Sequence, residues 1–273
     1  MPARTLGRLL AGLFTVLSAS TVAVVAITTP AVAVAAADPT PLGPQRPVEP
    51  DVEGPENLDT LTSSATRNGV RGGLNVTFDR TSRTADGGVP AGARRFVFLL
   101  DKSLTVNPSA FPVCTRQTVD TAGVSACPPA SVVGSAVGTY LNGNRVQATA
   151  VNSRVADRPG ILLVFPATGQ VLEQTLEPVT GAYRQNYRWA IDELLMPNAT
   201  PPQDRPGTVR FTATFGATTT VAGRPVSYLQ TSDPDGPYRF ALWSEFVTGQ
   251  VAVPTDCTVP TDAPTPTPAP AGA

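Results

Sequence analysis

Val209-Arg210-Phe211-Thr212-Ala213-Thr214-Phe215 alternates apolar and polar residues without a break. Successive side chains of a strand point to opposite faces, so this stretch reads as a half-buried strand with Val209, Phe211, Ala213 and Phe215 inward. The same period of two recurs at Leu74, Val76 and Phe78, against Asn75, Thr77 and Asp79, and at Val146, Ala148 and Ala150. Tyr187, Trp189 and Ile191 alternate with Arg188, Ala190 and Asp192, which places the first three together on a core-like face. Two further runs, Phe96-Val97-Phe98-Leu99-Leu100 and Ile161 to Phe165, are apolar throughout, as in strands buried on both faces. Between the runs lie turn signals. Asn142-Gly143-Asn144 joins two strand-like stretches as a hairpin, and Ala222-Gly223-Arg224-Pro225 and Asp233-Pro234-Asp235-Gly236 mark others. Only Asp192 to Met196 and the region after Val113 leave room for a helical turn. The expected fold class is all-β: a β-sandwich of roughly ten short, mostly antiparallel strands with a disulfide-closed loop.

Outward from this core the chain changes character. Arg4 and Arg8 precede an apolar run from Leu9 to Ile27, and small-residue triplets follow between Ala31 and Ala37. This is the pattern of a general secretory signal peptide, residues 1–37, with cleavage expected between Ala33 and Asp38 and no membrane attachment after it. Residues 38–56 are Pro-rich and read as a disordered linker, 57–258 as the sandwich domain, and 259–273 as a disordered Pro/Thr/Ala-rich tail. The expected location is extracellular or cell-wall-associated.

Composition removes whole classes of function. The formal net charge is -1, so there is no electrostatic footprint for nucleic acid. Histidine is absent altogether. That excludes His-based general acid/base catalysis, Ser-His-Asp and Cys-His arrangements, and His-ligated metals. Neither a phosphate loop, a nucleotide fingerprint nor a Gly-x-Ser-x-Gly elbow occurs, so no cofactor and no metal are expected.

The chain has three cysteines. In an oxidising compartment Cys114 and Cys127 are expected to close a loop over the sheet. Without a C-x-x-C or a histidine, redox and zinc chemistry have little support. Cys257 is the odd thiol, with three outcomes open: a free thiol, a bridge to a second chain as a homodimer, or displacement of one of the other two. The surrounding residues, Pro112-Val113-Cys114 and then Cys127-Pro128-Pro129-Ala130-Ser131-Val132-Val133-Gly134, resemble a P-x-C…C-P-x-x-S-x-V-G motif of exported β-rich proteins of actinobacteria. The resemblance implies an exported β domain over about Gly69 to Cys257 and brings no activity with it. Some such proteins have a fourth cysteine, which this chain lacks.

Two sets of residues are candidates for a site. Trp243, Tyr238 and Tyr183 belong to an aromatic-rich second half, and aromatics in a row on a sheet face stack on sugar rings; Trp243 is the one expected to be exposed. Ordinary core packing is the competing reading. The carboxylates Glu173, Glu177, Asp192, Glu193 and Glu245 are the only groups able to serve a hydrolase, against the plainer reading as solvated surface charge. The expected function is an exported, non-enzymatic structural or binding module of the cell envelope, with a wall polymer or envelope protein as partner. The alternatives are a carbohydrate-binding module and a carboxylate-dependent secreted hydrolase.

Overall fold

The computed structural model describes residues 36–43, 48–194 and 200–263. Strands come first: β1 (Leu58–Arg67), β2 (Gly73–Arg83), β3 (Ala93–Asp101) and β4 (Leu104–Val106), of which β1 and β2 form a hairpin. A helix, α1 (Arg116–Ala122), interrupts them. Then follow β5 (Val132–Thr139), β6 (Arg145–Val155), β7 (Arg158–Phe165), β8 (Gln170–Pro178), β9 (Tyr187–Leu194) and β10 (Arg210–Phe215). The last part holds β11 (Thr218–Val221), β12 (Arg224–Ser227), β13 (Leu229–Thr231), β14 (Tyr238–Phe246), β15 (Val251–Ala252), β16 (Thr255–Thr258) and β17 (Thr261–Asp262). The fold is all-β, as the alternation indicates. Among the described residues ten strands run six residues or longer; the count exceeds the expected ten through seven pieces of two to four residues, five of them joined to the large sheet and two, β11 and β12, forming a separate hairpin. Asp192 lies in strand β9, which continues to Leu194, so no helical turn starts there; Leu195 and Met196 lie outside the described residues.

The long strands form one antiparallel sheet in the order β14-β3-β9-β8-β7-β6-β5-β10-β2-β1. That sheet rolls on itself in a sandwich-like arrangement. Phe78 of β2 meets Phe98 of β3 and Phe240 of β14 edge-to-face, with ring centroids 5.2 and 5.3 Å apart, although these strands are far apart in the sheet order. The two ends of the sheet also meet. Ser63 of β1 donates from its backbone N and its Oγ to the Asp256 carboxylate on β16, at 2.6 and 2.8 Å. The inner face carries Val76, Phe78, Phe98, Leu100, Ile161, Leu163, Ile191 and Phe215 as one continuous core.

Because β3 and β7 are apolar on both faces, the outer face also needs cover, and two segments supply it. The first is the disulfide loop. Cys114 and Cys127 are bonded, with Cα atoms 5.3 Å apart, and with Val119 of α1 they pack on Val151, Leu162 and Val164 of β6 and β7. Thr115 caps α1 by accepting a hydrogen bond from the Thr118 backbone N at 3.1 Å, and Gly123, at φ +76°, ends it. Ser153 Oγ donates to the Cys114 carbonyl at 2.6 Å and fixes the loop to β6.

The second cover corrects an expectation. The segment read as a disordered linker lies against the sheet in its described stretches. Asp38 pairs with Arg95 of β3 at 2.7 Å, and Thr40, buried, donates to Asp192 of β9 at 2.8 Å. Arg95 grips Asp192 through Nε and Nη2 at 3.0 and 2.5 Å, and its guanidinium lies 5.2 Å from the centroid of the Trp243 ring. Further on, Glu49 and Asp51 pair with Arg205 and Arg94. Proline-rich composition removes ladder donors but leaves acidic side chains free to find buried or half-buried arginines, and no local pattern reports that. The tail is corrected in part for the same kind of reason: Thr261 and Asp262 pair in parallel with β1, and Asp262 meets Arg67 at 3.1 Å. The signal-peptide stretch up to residue 35 and the tail from residue 264 lie outside the described residues.

Two outcomes are expected from this architecture. Replacing Cys114 and Cys127 together by alanine lowers unfolding stability by about 3 kcal/mol in urea titrations, whereas Cys257→Ala leaves the midpoint unchanged. Arg95→Met takes the guanidinium from a buried carboxylate and costs about 3–5 kcal/mol in the same assay, part of which the double change Arg95→Met, Asp192→Leu recovers.

Candidate binding cavity

The inner face of the roll is apolar along most of its length and becomes polar at one end. The switch is written in phase with the core: Leu74, Val76 and Phe78 of β2 are followed at the next inward position by Arg80, and Trp189 and Ile191 of β9 by Glu193. On β8 the inward position beside Leu172 and Leu176 is Gln174. At this end the walls part around a cavity of about 250 Å3. Phe96, Phe165, Leu172 and Phe211 form its apolar floor, Arg80 and Glu193 its polar wall, and Arg205 and Tyr140 stand at the loops around it.

Arg80 is buried and fully engaged. Its Nε and Nη2 bind the two oxygens of Asp59 at 2.5 and 3.0 Å, and its Nη1 donates to the carbonyl and hydroxyl of Thr208 at 3.3 Å each. Register explains the pairing: Leu61 stands opposite Arg80, so Asp59, two residues along on the same face, is its diagonal neighbour. The guanidinium also lies over the Phe96 and Phe246 rings, 5.2 and 5.5 Å from their centroids. Arg205 is held likewise by Glu49, both oxygens at 2.7 Å. The Arg205 hydrogen bonds hold the Glu49 carboxyl below its ordinary value of 4.5, against the opposing effect of desolvation.

Glu193 is 1% exposed. It stands opposite Phe96 on one side and Gln174 on the other, and its Oε2 accepts a 2.5 Å hydrogen bond from Gln174 Nε2. The Gln174 Oε1 is buried and has no hydrogen-bond partner among the described residues. A buried amide oxygen in that state carries a desolvation cost.

The aromatic candidates sit elsewhere and are not stacking platforms. Trp243, expected to be exposed, is 4% exposed: it does face away from the roll, but Arg95 and the Asp38–Thr40 segment lie over that face. Tyr238 is fully buried on the inner side and donates its hydroxyl to the Asp233 carbonyl at 2.7 Å. Tyr183 is half-buried against the outer cluster of Val97, Leu99 and Tyr187, where burial pushes its hydroxyl pKa up. Tyr187 parts from Trp189 and Ile191 because the β3–β9 register shifts between Leu100 and Asp101, moving it to the outer cluster. Cys257 is an exposed free thiol on β16.

Of the carboxylates, Glu193 alone reaches this cavity. Asp192 and Glu193 are consecutive on a strand, so they face opposite sides of the sheet and do not share a site. Glu173 and Glu177 pair with Arg116 and Arg158 at 3.1 and 2.5 Å, and Glu245 lies on β14 with its backbone paired to β3 and β15. The sequence carries no motif for the cavity residues Arg80 and Arg205 or for Gln174 beside Glu193; for Arg80 and Gln174 the readable signal is a charged or amide residue in phase with an apolar face. Family models, curated proteins and solved structures were all compared with the chain, and none matches it.

The Glu49–Arg205 pair gives the rim a defined pH response. Since the carboxyl pKa is lower in the folded chain, the pair's contribution is complete above about pH 4.5 and is lost as the pH falls through the lowered folded value. Thermal denaturation between neutral and strongly acid pH reads this directly, and Glu49→Gln should shrink that acid limb, to which the likewise lowered Asp79 and Asp256 also contribute, while leaving the alkaline side as it is in the parent protein.

Proposed function

We propose that this is an exported, non-enzymatic binding protein that takes a small amphiphilic molecule into the end of its rolled sheet. The observation that carries the reading is the cavity itself: about 250 Å3, with a floor of three phenylalanines and a leucine and with buried polar groups on one wall. Sites of this kind, apolar with a few placed polar atoms, are how proteins hold small ligands. The volume lies just under the ~300–1,000 Å3 of drug-sized sites, which favours a small ligand. Export is supported by the N-terminal apolar run and by the Cys114–Cys127 bond, since disulfides persist in oxidising compartments. Binding is favoured over hydrolysis because glycoside cleavage needs two carboxyl groups flanking one bond, and Glu193 stands in the cavity without a second member of the candidate carboxylate set. A polysaccharide is disfavoured, because neither tryptophan lies bare on a sheet face.

The test is titration of the purified secreted protein with 1-naphthylamine, a fluorescent, neutral aromatic of suitable size. Saturable one-to-one binding is expected, weakened about tenfold or more by Val146→Phe, which puts a ring into the cavity wall without touching its hydrogen bonds. Absence of saturable binding, or binding indifferent to that change, would overturn the reading.

A further inference from the structure

Resting on the cavity reading above, we infer that the ligand is a single-chain amphiphile. Its alkyl chain enters the cavity and runs out over the mouth along an apolar groove on the surface. Among the described lining residues of the cavity, Arg80, Arg205 and Glu193 carry charge. All three are engaged within the protein. Arg80 is bound by Asp59 and Thr208, Arg205 by Glu49 and the Thr200 carbonyl, and Glu193 by Gln174 and by a further interaction. A charged head inside the cavity would have to break one of these contacts and leave a buried charge behind. The cavity therefore takes the apolar end of the molecule, over Phe96, Phe165, Leu172 and Phe211.

The mouth continues into a second volume. Tyr140, Pro206 and Gly207 line the cavity and also a shallow groove of about 480 Å3, which Val89, Leu141 and Asn142 complete. The described lining of this groove has no charged side chain. Val89 and Leu141 are 48% and 50% exposed, so two branched aliphatic side chains stand in water at the mouth. The frame beneath them is fixed. Gly207 N donates to the Pro90 carbonyl at 2.8 Å, and Ala91 pairs with Pro206. The hairpin that carries Leu141 is closed by Tyr140 N donating to the Asn144 carbonyl and Gly143 N to the Tyr140 carbonyl, both at 2.9 Å. Leu141 is thus held exposed at a turn, where a polar residue would serve the fold as well. Covering it and Val89 is a hydrophobic gain that the chain's own packing leaves unused. A single chain suits the two volumes, because Tyr140, Pro206 and Gly207 stand between them and a ligand filling both is long and narrow there.

The experiment displaces 1-naphthylamine from the purified secreted protein with 1-butanol, 1-hexanol, 1-octanol and 1-decanol. A fully buried methylene strengthens binding about fourfold and one lying half in water about twofold, so affinity is expected to rise all the way to decanol, with the smaller step at the long end. Leu141→Asp is expected to weaken decanol about tenfold more than butanol. Val89→Asp is expected to act in the same sense, and it decides should the first variant fail to fold. Affinity that stops rising before decanol, or an equal effect of these changes on butanol and decanol, overturns the extended chain and leaves the cavity as the site. Absence of displacement by any alkanol, in a protein that still binds 1-naphthylamine, does the same. Failure of 1-naphthylamine itself to bind overturns the cavity reading and this inference with it.

Discussion

A sheet with apolar side chains on both faces cannot stand as a single layer in water. β3 sets this constraint, for Phe96 through Asp101 are all buried, with Phe96, Phe98 and Leu100 on one side and Val97 and Leu99 on the other. Rolling the sheet buries the first side against β2 and β10. The second side then needs something from outside the sheet, and each cover is anchored by a different bond type: a covalent link for the loop over β6 and β7, and a buried Arg95–Asp192 pair for the segment over β3, β9 and β14. A buried ion pair stabilises little relative to an apolar isostere, but it is selective about its partner. Here it specifies which segment lies on that face.

The interior is organised by the same alternation, carried to one end. Where the inward positions stay apolar, the phenylalanines of facing strands interlock; where they become Arg80, Gln174 and Glu193, each polar group must find a partner or a cavity. Asp59 settles the charge of Arg80 within the wall. Glu193 lines the open volume, with Gln174 bonded to it from behind the wall's surface. The site is thus a place where the core pattern is broken in phase, and a function is supported there because the break costs stability that packing alone would not require.

Much of this could be read from residues alone. The strands at Leu74–Asp79, Val146–Ala150 and Val209–Phe215, the turn at Gly143, and the Cys114–Cys127 loop follow from short-range rules: side-chain period, backbone freedom and redox compartment. What could not be read depends on distant partners. Trp243 alternates out of phase with the inner core, which identifies its face correctly, but whether that face is wet depends on Asp38 and Thr40 folding back over it. Tyr187 changes sides because of a register shift that its own neighbours do not encode. Glu193 was visible as a carboxylate and invisible as a cavity wall, since a cavity belongs to eight strands at once.

The central claim is that the inside of the roll, and not its outer aromatic face, receives the ligand. Intermolecular nuclear Overhauser effects from protein-bound 1-naphthylamine locate the ligand directly. The account predicts contacts to the ring protons of Phe96, Phe165 and Phe211. Contacts confined to Tyr183 and Trp243 on the outer face would contradict it.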